Sequence, residues 1–286
     1  MAWGSIGVLV RWVDLPSVAL VSSRVTIGSI GLGIYLLARR STQTGIPPVK
    51  LFGHLPLRTV ATGVLLAGHW VALFAALQRA PIGTVLLITY LGPVLVAAAA
   101  PRVLGERVPL RLAALLGVAA LGCALVVGPA GHGVAVAGLV LSGLAAVSYA
   151  LLTLVGKPLA QHYGGVRLAF QQQAVAAVVL APFAAAAGWG SPQASWAWLL
   201  LLGLGHTALG TAVFFSALAR VEATVIGLLG YLEPASAVLF GWWLLAERPG
   251  LLTLAGGSMI VGAGLVALRS GSIPNIPPPE VAGAIR

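Results

Sequence analysis

Two ionisable residues stand inside long apolar stretches of this sequence, where a charge is costly. Glu233 lies in the stretch over 222–246, and Arg24 lies about nine residues into the stretch over 15–38. A charge at the centre of a membrane helix costs roughly 2.5–3.5 kcal/mol on insertion scales, so it generally faces a cavity or a partner. Glu233 is a candidate proton carrier, contact for a bound ammonium group, or structural hydrogen-bond acceptor. Arg24 is a candidate ligand for a carboxylate, a partner of Glu233 or Asp14, or a side chain that extends to the outer headgroups.

Two histidines form a second candidate set. His69 and His206 each follow a glycine in apolar stretches over 59–78 and 196–219. A neutral histidine can relay protons near physiological pH, whereas a lone helical histidine can equally be a packed polar residue. No third ligand accompanies them at metal-site spacing, so no metal site is predicted.

Aromatic and amide side chains within the apolar stretches are further candidates for lining a cavity. Three consecutive glutamines at 171–173 cannot all face one way on a helix, so at most two should point inward. The candidates are Trp70, Tyr90, Tyr149, Gln171, Gln172 and Tyr231.

Composition places these residues in a membrane protein. Of 286 residues, 59% are hydrophobic and 8% are charged, whereas soluble domains have about 25% charged residues. The net charge of +10 comes mainly from basic residues in short gaps between apolar stretches. This pattern is typical of cytoplasmic loops beside anionic lipid, and no nucleic-acid partner is expected. Cys123 is the only cysteine, so no disulfide can form within the chain.

The apolar stretches predict an all-α protein of about ten transmembrane helices, because a bilayer core needs roughly 20 apolar residues of helix. The first stretch crosses only part of the bilayer. Comparison with the helix starting near Gly133 suggests that about a dozen residues are missing from it. The stretches are 2–13, 15–38, 59–78, 82–104, 110–128, 133–156, 166–187, 196–219, 222–246 and 251–268.

The distribution of basic residues predicts the orientation. If the loop over 39–58 is cytoplasmic, twelve Lys and Arg residues fall on that side and three on the other. By the positive-inside rule, both termini are then cytoplasmic, and the protein is expected in the cell inner or plasma membrane.

An internal repeat divides the chain into two halves. The segment from Ala76 aligns without a gap on the segment from Ala217 at a constant offset of 141, which pairs Tyr90 with Tyr231 and Pro93 with Pro234. Five helices per half would place the second half upside down in the membrane, as in secondary transporters. The predicted divisions are a first half over 1–128, a second half over 129–269, and a disordered cytoplasmic tail over 270–286.

The paired prolines are candidate hinges. Pro93, preceded by Gly92, and Pro234 each lie about a third to half of the way along an apolar stretch. Proline removes a backbone hydrogen bond and bends a helix, although transmembrane helices also tolerate proline without a functional reason. The symmetric placement favours the hinge.

These features resemble the EamA family of the drug/metabolite transporter superfamily. The resemblance rests on the ten-helix plan and on the internal repeat, in which Gly92-Pro93 aligns with Glu233-Pro234. It also rests on the two similar helix ends, Gly105-Glu106-Arg107 and Ala246-Glu247-Arg248. It implies two inverted five-helix halves and export of amino acids, related metabolites or toxic compounds. The residues themselves favour a capping or local ion-pair role for both Glu-Arg pairs.

The leading functional hypothesis is a secondary-active transporter that exports small polar metabolites by alternating access. Amino acids or related compounds are the expected substrates and protons the candidate coupling ion; no cofactor is expected. One alternative is a membrane-embedded enzyme acting on lipid intermediates, although the loops hold almost no carboxylates. Another is a non-transporting scaffold or sensor, which would not need paired prolines or a buried glutamate. The chain lacks a phosphate-binding glycine loop, which argues against a nucleotide-driven pump.

Overall fold

The computed structural model is helical wherever it describes regular structure. It describes residues 2–6, 9, 13, 15–42, 55–80, 82–127, 135–188, 196–246 and 249–269. No β-strand occurs among these residues. Seven helical stretches within them are long and apolar enough to cross a membrane, and two apolar helices are shorter. The predicted tail over 270–286 and the Glu247-Arg248 pair lie outside the described residues.

From residue 15 onward, the described helices coincide with the predicted apolar stretches. A 3₁₀ turn, Ala2–Ser5, precedes the first long helix. The helices are α1 (Ser17–Thr42), α2 (Leu57–Leu77), α3 (Ile82–Thr89), α4 (Gly92–Val103), α5 (Leu110–Val127), α6 (Val136–Tyr163), α7 (Gly165–Ala187), α8 (Trp196–Leu200), a π-helix (Leu201–Leu209), α9 (Gly210–Leu218), α10 (Ala223–Gly230), α11 (Leu232–Leu245) and α12 (Leu251–Arg269).

Two of the predicted stretches are each divided into a pair of helices. The stretch over 82–104 is interrupted at Tyr90 and the following residue, and the stretch over 222–246 is interrupted at Tyr231. The two prolines therefore do not bend a continuous helix, because each lies in the first turn of a new one. Proline is tolerated there, since the first backbone N–H groups of a helix have no intrahelical partner. The two interruptions are separated by the repeat offset.

The two shorter apolar helices, α5 and α12, pack closely against each other. A Cβ atom added at Gly122 would lie 2.7 Å from the backbone oxygen of Gly256, and one added at Gly256 would lie 2.8 Å from the Leu125 Cβ. Small residues allow membrane helices to bring their backbones this close, which strengthens van der Waals packing. This interface requires glycine at both positions.

The carboxylate of Glu106 connects distant parts of the chain at one end of the bundle. Gly105 ends α4 with φ at +67°, the left-handed conformation that glycine favours after a helix. Glu106 then accepts hydrogen bonds from the backbone N–H of Ala223 at 3.0 and 2.9 Å. It also forms an ion pair with Lys157, whose Nζ donates to the Val221 carbonyl at 2.8 Å. We call these four residues, Glu106, Lys157, Val221 and Ala223, the Glu106 clasp.

The clasp differs from the local role expected for Glu106. The carboxylate caps the first residue of α10 rather than its own helix, and its cation is 51 residues away. The N-terminus of a helix carries a partial positive charge, so it attracts a carboxylate. Nearby, burial and then the Glu106 carboxylate raise the pKa of Glu222, an effect that Lys157 opposes.

We predict that Gly122→Ala lowers the stability of the protein by about 1–3 kcal/mol, the usual cost of overpacking. The added methyl group would meet a backbone oxygen that cannot rotate away. The measurement is the apparent melting temperature in detergent. Gly117→Ala is the matched control in the same helix, because a Cβ at Gly117 has nothing within 4 Å. Equal melting temperatures for the two variants would contradict the close packing.

We predict that Glu106→Gln destabilises the protein by about 3 kcal/mol, the lower end of the range for breaking a buried ion pair. It would leave the Lys157 ammonium without its counter-charge. The double variant Glu106→Gln/Lys157→Met should cost less than the sum of the single variants in a thermal-unfolding cycle. Glu222→Gln should cost nothing at neutral pH, because neutralising Glu222 removes repulsion from Glu106. Additive single-variant effects would show that the pair is not coupled.

Candidate functional site

The two interrupted helix pairs meet at their tyrosines. The rings of Tyr90 and Tyr231 are stacked with centroids 5.7 Å apart. The Tyr231 hydroxyl donates a hydrogen bond to the Tyr90 carbonyl at 2.6 Å. That carbonyl lies where the helical hydrogen-bond pattern is interrupted, so a side chain takes the place of a backbone N–H. Repeat-related residues are thus in direct contact.

Glu233 lies two residues after the second interruption, in the first turn of α11. Its half-buried side chain lies close enough to Tyr90 for the two side chains to interact electrostatically. A carboxylate is favoured in the first turn of a helix, because the free N–H groups there carry partial positive charge. Glu233 and both tyrosines therefore form one polar group where the two helix pairs cross.

Gly92 occupies the repeat position of Glu233, and Tyr149 packs against it. A Cβ atom added at Gly92 would lie 2.8 Å from Cδ1 of Tyr149. The Tyr149 hydroxyl lies 3.5 Å from the position of a Cβ on Gly230, which ends α10. Tyr149 thus contacts both interrupted helix pairs, and the missing side chain at Gly92 leaves room for its ring.

Aromatic rings extend from the 3₁₀ turn to α2. The centroid separations are 5.8 Å from Trp3 to Phe214, 6.3 Å from Phe214 to Tyr149, and 6.4 Å from Tyr149 to His69. Nδ1 of His69 hydrogen-bonds the carbonyl of Ala145 at 2.9 Å. His69 is therefore both buried and fixed to α6.

His206 lies in the π-helix and has partners different from those of His69. Its Nδ1 contacts the Leu201 carbonyl at 3.2 Å, and its Nε2 contacts the Ser5 hydroxyl at 2.8 Å. The carbonyl of His206 accepts from Trp3 Nε1 at 2.7 Å. The two histidines are thus held by separate contacts. No pattern in the sequence predicts the π-helix, a type of local structure that is frequent at functional sites.

Arg24 is buried, with 1% of its surface exposed, so it does not extend to the headgroups. Its Cζ lies 4.4 Å from the ring centroid of Trp70 and 5.6 Å from that of Phe74. Nε donates to the Thr207 hydroxyl in the π-helix at 3.2 Å. Arg24 and Glu233 interact electrostatically, but within the described chain no salt bridge joins them. Asp14, the other partner considered, lies outside the described residues.

All three glutamines at 171–173 are buried, contrary to the expectation that at most two point inward. The reason is that α7 packs against α1, α2 and α9, so several of its faces are covered. Gln173 Nε2 donates to the Thr211 hydroxyl at 2.6 Å and to the Thr207 carbonyl at 3.2 Å. Both amide atoms of Gln172 lack a hydrogen-bond partner among the described residues. Amides on this helix therefore retain free hydrogen-bonding capacity.

The described part of the chain contains no group of three or more His, Cys, Asp or Glu side chains that could hold a metal ion. An apolar groove of about 270 Å³ lies along α11 and contains none of the candidate polar residues. Its lining includes two tryptophans whose exposed surfaces suit a lipid-facing helix. The lining residues are Ser236, Leu239, Phe240, Trp242 and Trp243.

Comparison with known proteins agrees with the membrane architecture. An uncharacterized transporter YxxF of Bacillus subtilis is 27% identical over 273 residues, covering 93% of this chain and 86% of that protein. The pseudopaline exporter CntI of Pseudomonas aeruginosa is 28% identical over 264 residues, covering 90% and 87%. A probable terminal-alkyne amino-acid exporter of Streptantibioticus cattleyicolor is 29% identical over 255 residues, covering 87% and 83%.

A solved structure described as "Crystal structure of protein" shares the fold, with a TM-score of 0.81, 20% identity and 95% coverage of both chains. The model of the EamA-like transporter family matches residues 1–128 and 136–269. The chain therefore belongs to the EamA-like transporter family and is a multi-pass membrane transporter rather than an enzyme.

Proposed function

We propose that this transporter is a secondary-active exporter of small polar metabolites, with amino acids or related compounds as substrates. It works by alternating access between two inverted five-helix halves, 1–128 and 129–269, which together make about ten transmembrane helices. It lies in the cell inner or plasma membrane with both termini, including the tail over 270–286, in the cytoplasm. Gly92, Pro93 and Pro234 are the hinge residues, and Glu233 carries the coupling proton.

The contact between Tyr90 and Tyr231 is the observation that carries the proposal. Two residues related by a two-fold axis can touch only if both lie near that axis. The tyrosines are 141 residues apart, as the repeat requires, and their rings are stacked. In transporters built from inverted repeats, substrates bind at the interface of the repeats, often beside discontinuous helices. The two helix interruptions at these tyrosines fit that arrangement.

Glu233 is suited to couple transport to protons. Its carboxylate follows one interruption directly, and it interacts electrostatically with Tyr90 at the other. A rearrangement at either interruption would therefore change the surroundings of the carboxylate, and with them its affinity for a proton. An ionisable group in a membrane span is generally functional.

The expected substrate class is supported by the names of two relatives. One is named as a pseudopaline exporter and another as a probable terminal-alkyne amino-acid exporter. The buried groups of this chain have the matching chemistry, since Arg24 can bind a carboxylate and Glu233 can bind an ammonium group. Trp70, His69, His206, Gln171 and Gln172 are the further proposed lining residues.

Labelling of a repeat-related pair of arginines tests the inverted topology. Arg79 and Arg220 are both exposed, and they occupy corresponding positions of the two halves. In a background with Cys123→Ala, a membrane-impermeant maleimide added to intact cells should label Arg79→Cys and not Arg220→Cys. Both should react in permeabilised cells, which is the control for reactivity. Labelling of both variants from outside would contradict the inversion.

Transport itself is tested in liposomes by counterflow of a mixed pool of labelled amino acids. We expect saturable counterflow by the wild type, and faster net flux when a pH gradient is imposed. Glu233→Gln cannot release a proton, so it should abolish acceleration by the gradient while leaving exchange at zero gradient measurable. Glu222→Gln removes the same charge from the residue that precedes α10 and should behave as the wild type.

Each part of the proposal can fail separately in this assay. Absence of wild-type counterflow with every labelled amino acid would reject the amino-acid substrate class. An unchanged response of Glu233→Gln to the pH gradient would reject proton coupling through this residue and leave it a structural role.

A further inference from the structure

We infer that Arg24 is a specificity-determining residue that binds the carboxylate of the transported molecule. This inference rests on the proposed transport function and adds the orientation of the substrate within it. The site lies between α1, α2, α7 and the π-helix. Its central residues are Arg24, Trp70 and Thr207.

The guanidinium of Arg24 is nearly closed off from solvent and yet has an unused donor. Its exposed surface is 1%, and Nη2 has no hydrogen-bond partner within the described chain. The Nε–H of Arg24 donates to the Thr207 hydroxyl, which is a neutral acceptor. A buried cation is normally paired with an anion, because the desolvation of an unpaired charge costs several kcal/mol. The site is thus completed by an anionic oxygen.

The direction from which this oxygen approaches follows from the contact with Trp70. The indole ring lies 4.4 Å from Cζ and covers a face of the guanidinium. The N–H donors of a guanidinium lie in its plane, so stacking leaves them free. A carboxylate can therefore approach the edge at Nη2 while the indole remains in place. A cationic ligand would be repelled.

The glutamines of α7 provide a second, independent observation. Gln173 bonds the carbonyl of Thr207, whose hydroxyl holds Arg24, so α7 and the arginine share this part of the π-helix. The neighbouring Gln172 is fully buried, with its amide nitrogen and oxygen both unpaired in the described chain. An unpaired buried amide is costly, so this group also fits a site that a polar ligand completes. The helix that carries this amide is the one joined to the π-helix beside Arg24 through Gln173.

The test is ligand protection of the purified, full-length protein against thermal unfolding in detergent. Three pools share the same set of side chains: L-amino acids, the amines that lack the carboxylate, and the acids that lack the amino group. We expect the two carboxylate-containing pools to raise the wild-type melting temperature and the amine pool to leave it unchanged. Arg24→Gln should lose this protection, and Arg24→Lys, which keeps the charge, should bind at least about tenfold more weakly than the wild type.

Arg79→Gln is the matched control, because it removes one positive charge from an exposed arginine whose side chain, within the described residues, bonds the Ala75 carbonyl of α2 alone. It should retain full protection. If Arg24→Gln does not fold, the comparison of the three pools on the wild type still decides the question. Equal protection by amines and acids, protection by no pool, or protection that survives in Arg24→Gln would overturn the inference. Protection by carboxylates without any flux in liposomes would instead reject the transport proposal and leave the site intact.

Discussion

A membrane interior offers no water to hydrogen-bond the backbone, and this constraint accounts for the main polar contacts of the fold. Every interruption of a helix leaves carbonyl or N–H groups that another part of the protein must satisfy. The Tyr90 carbonyl is satisfied by the Tyr231 hydroxyl, and the Ala223 N–H by the Glu106 carboxylate. In the π-helix the Leu202 carbonyl accepts from the Thr207 hydroxyl at 2.8 Å. Polar side chains therefore occur where the helices depart from regular geometry.

The same contacts bring the candidate functional residues together. The ring and the carbonyl of Tyr90 both contact Tyr231, and its side chain interacts electrostatically with Glu233. In the π-helix, Thr207 likewise connects two polar side chains. Its hydroxyl accepts from Arg24, and its carbonyl accepts from Gln173. The side chains that satisfy backbone hydrogen bonds thus also contact the charged residues.

The sequence was sufficient to locate the helices, because twenty or so apolar residues leave few other structures open to a chain in lipid. For example, the predicted stretch over 166–187 corresponds to Gly165–Ala187. The repeat offset also identified the positions at which two helices are interrupted, although proline starts a new helix there instead of bending one. Both signals are local or strictly periodic along the chain.

Other features depend on packing between distant segments and leave little trace in the sequence. The partner of Glu106 is 51 residues away, and nothing in the spacing of the two residues indicates an ion pair. The π-helix differs from an α-helix only in the register of its hydrogen bonds, for which the composition of Leu201–Leu209 has no distinctive pattern. The burial of Gln173 with its two neighbours required knowledge of how many helices surround α7.

The first half has Gly92 at the repeat position where the second half has Glu233. This asymmetry affects the relative free energies of the forms that the proposed transporter would adopt. In the alternating access proposed above, two identical inverted halves would give the inward-facing and outward-facing forms equal free energy, so each would be populated half of the time. Here one interrupted helix pair carries an acid and the other a bare backbone covered by Tyr149. Under that proposal the two forms would differ in free energy, and a difference of only about 1.4 kcal/mol places ten molecules in one form for each molecule in the other. The transporter without substrate would then rest mainly in the form that opens to one side of the membrane.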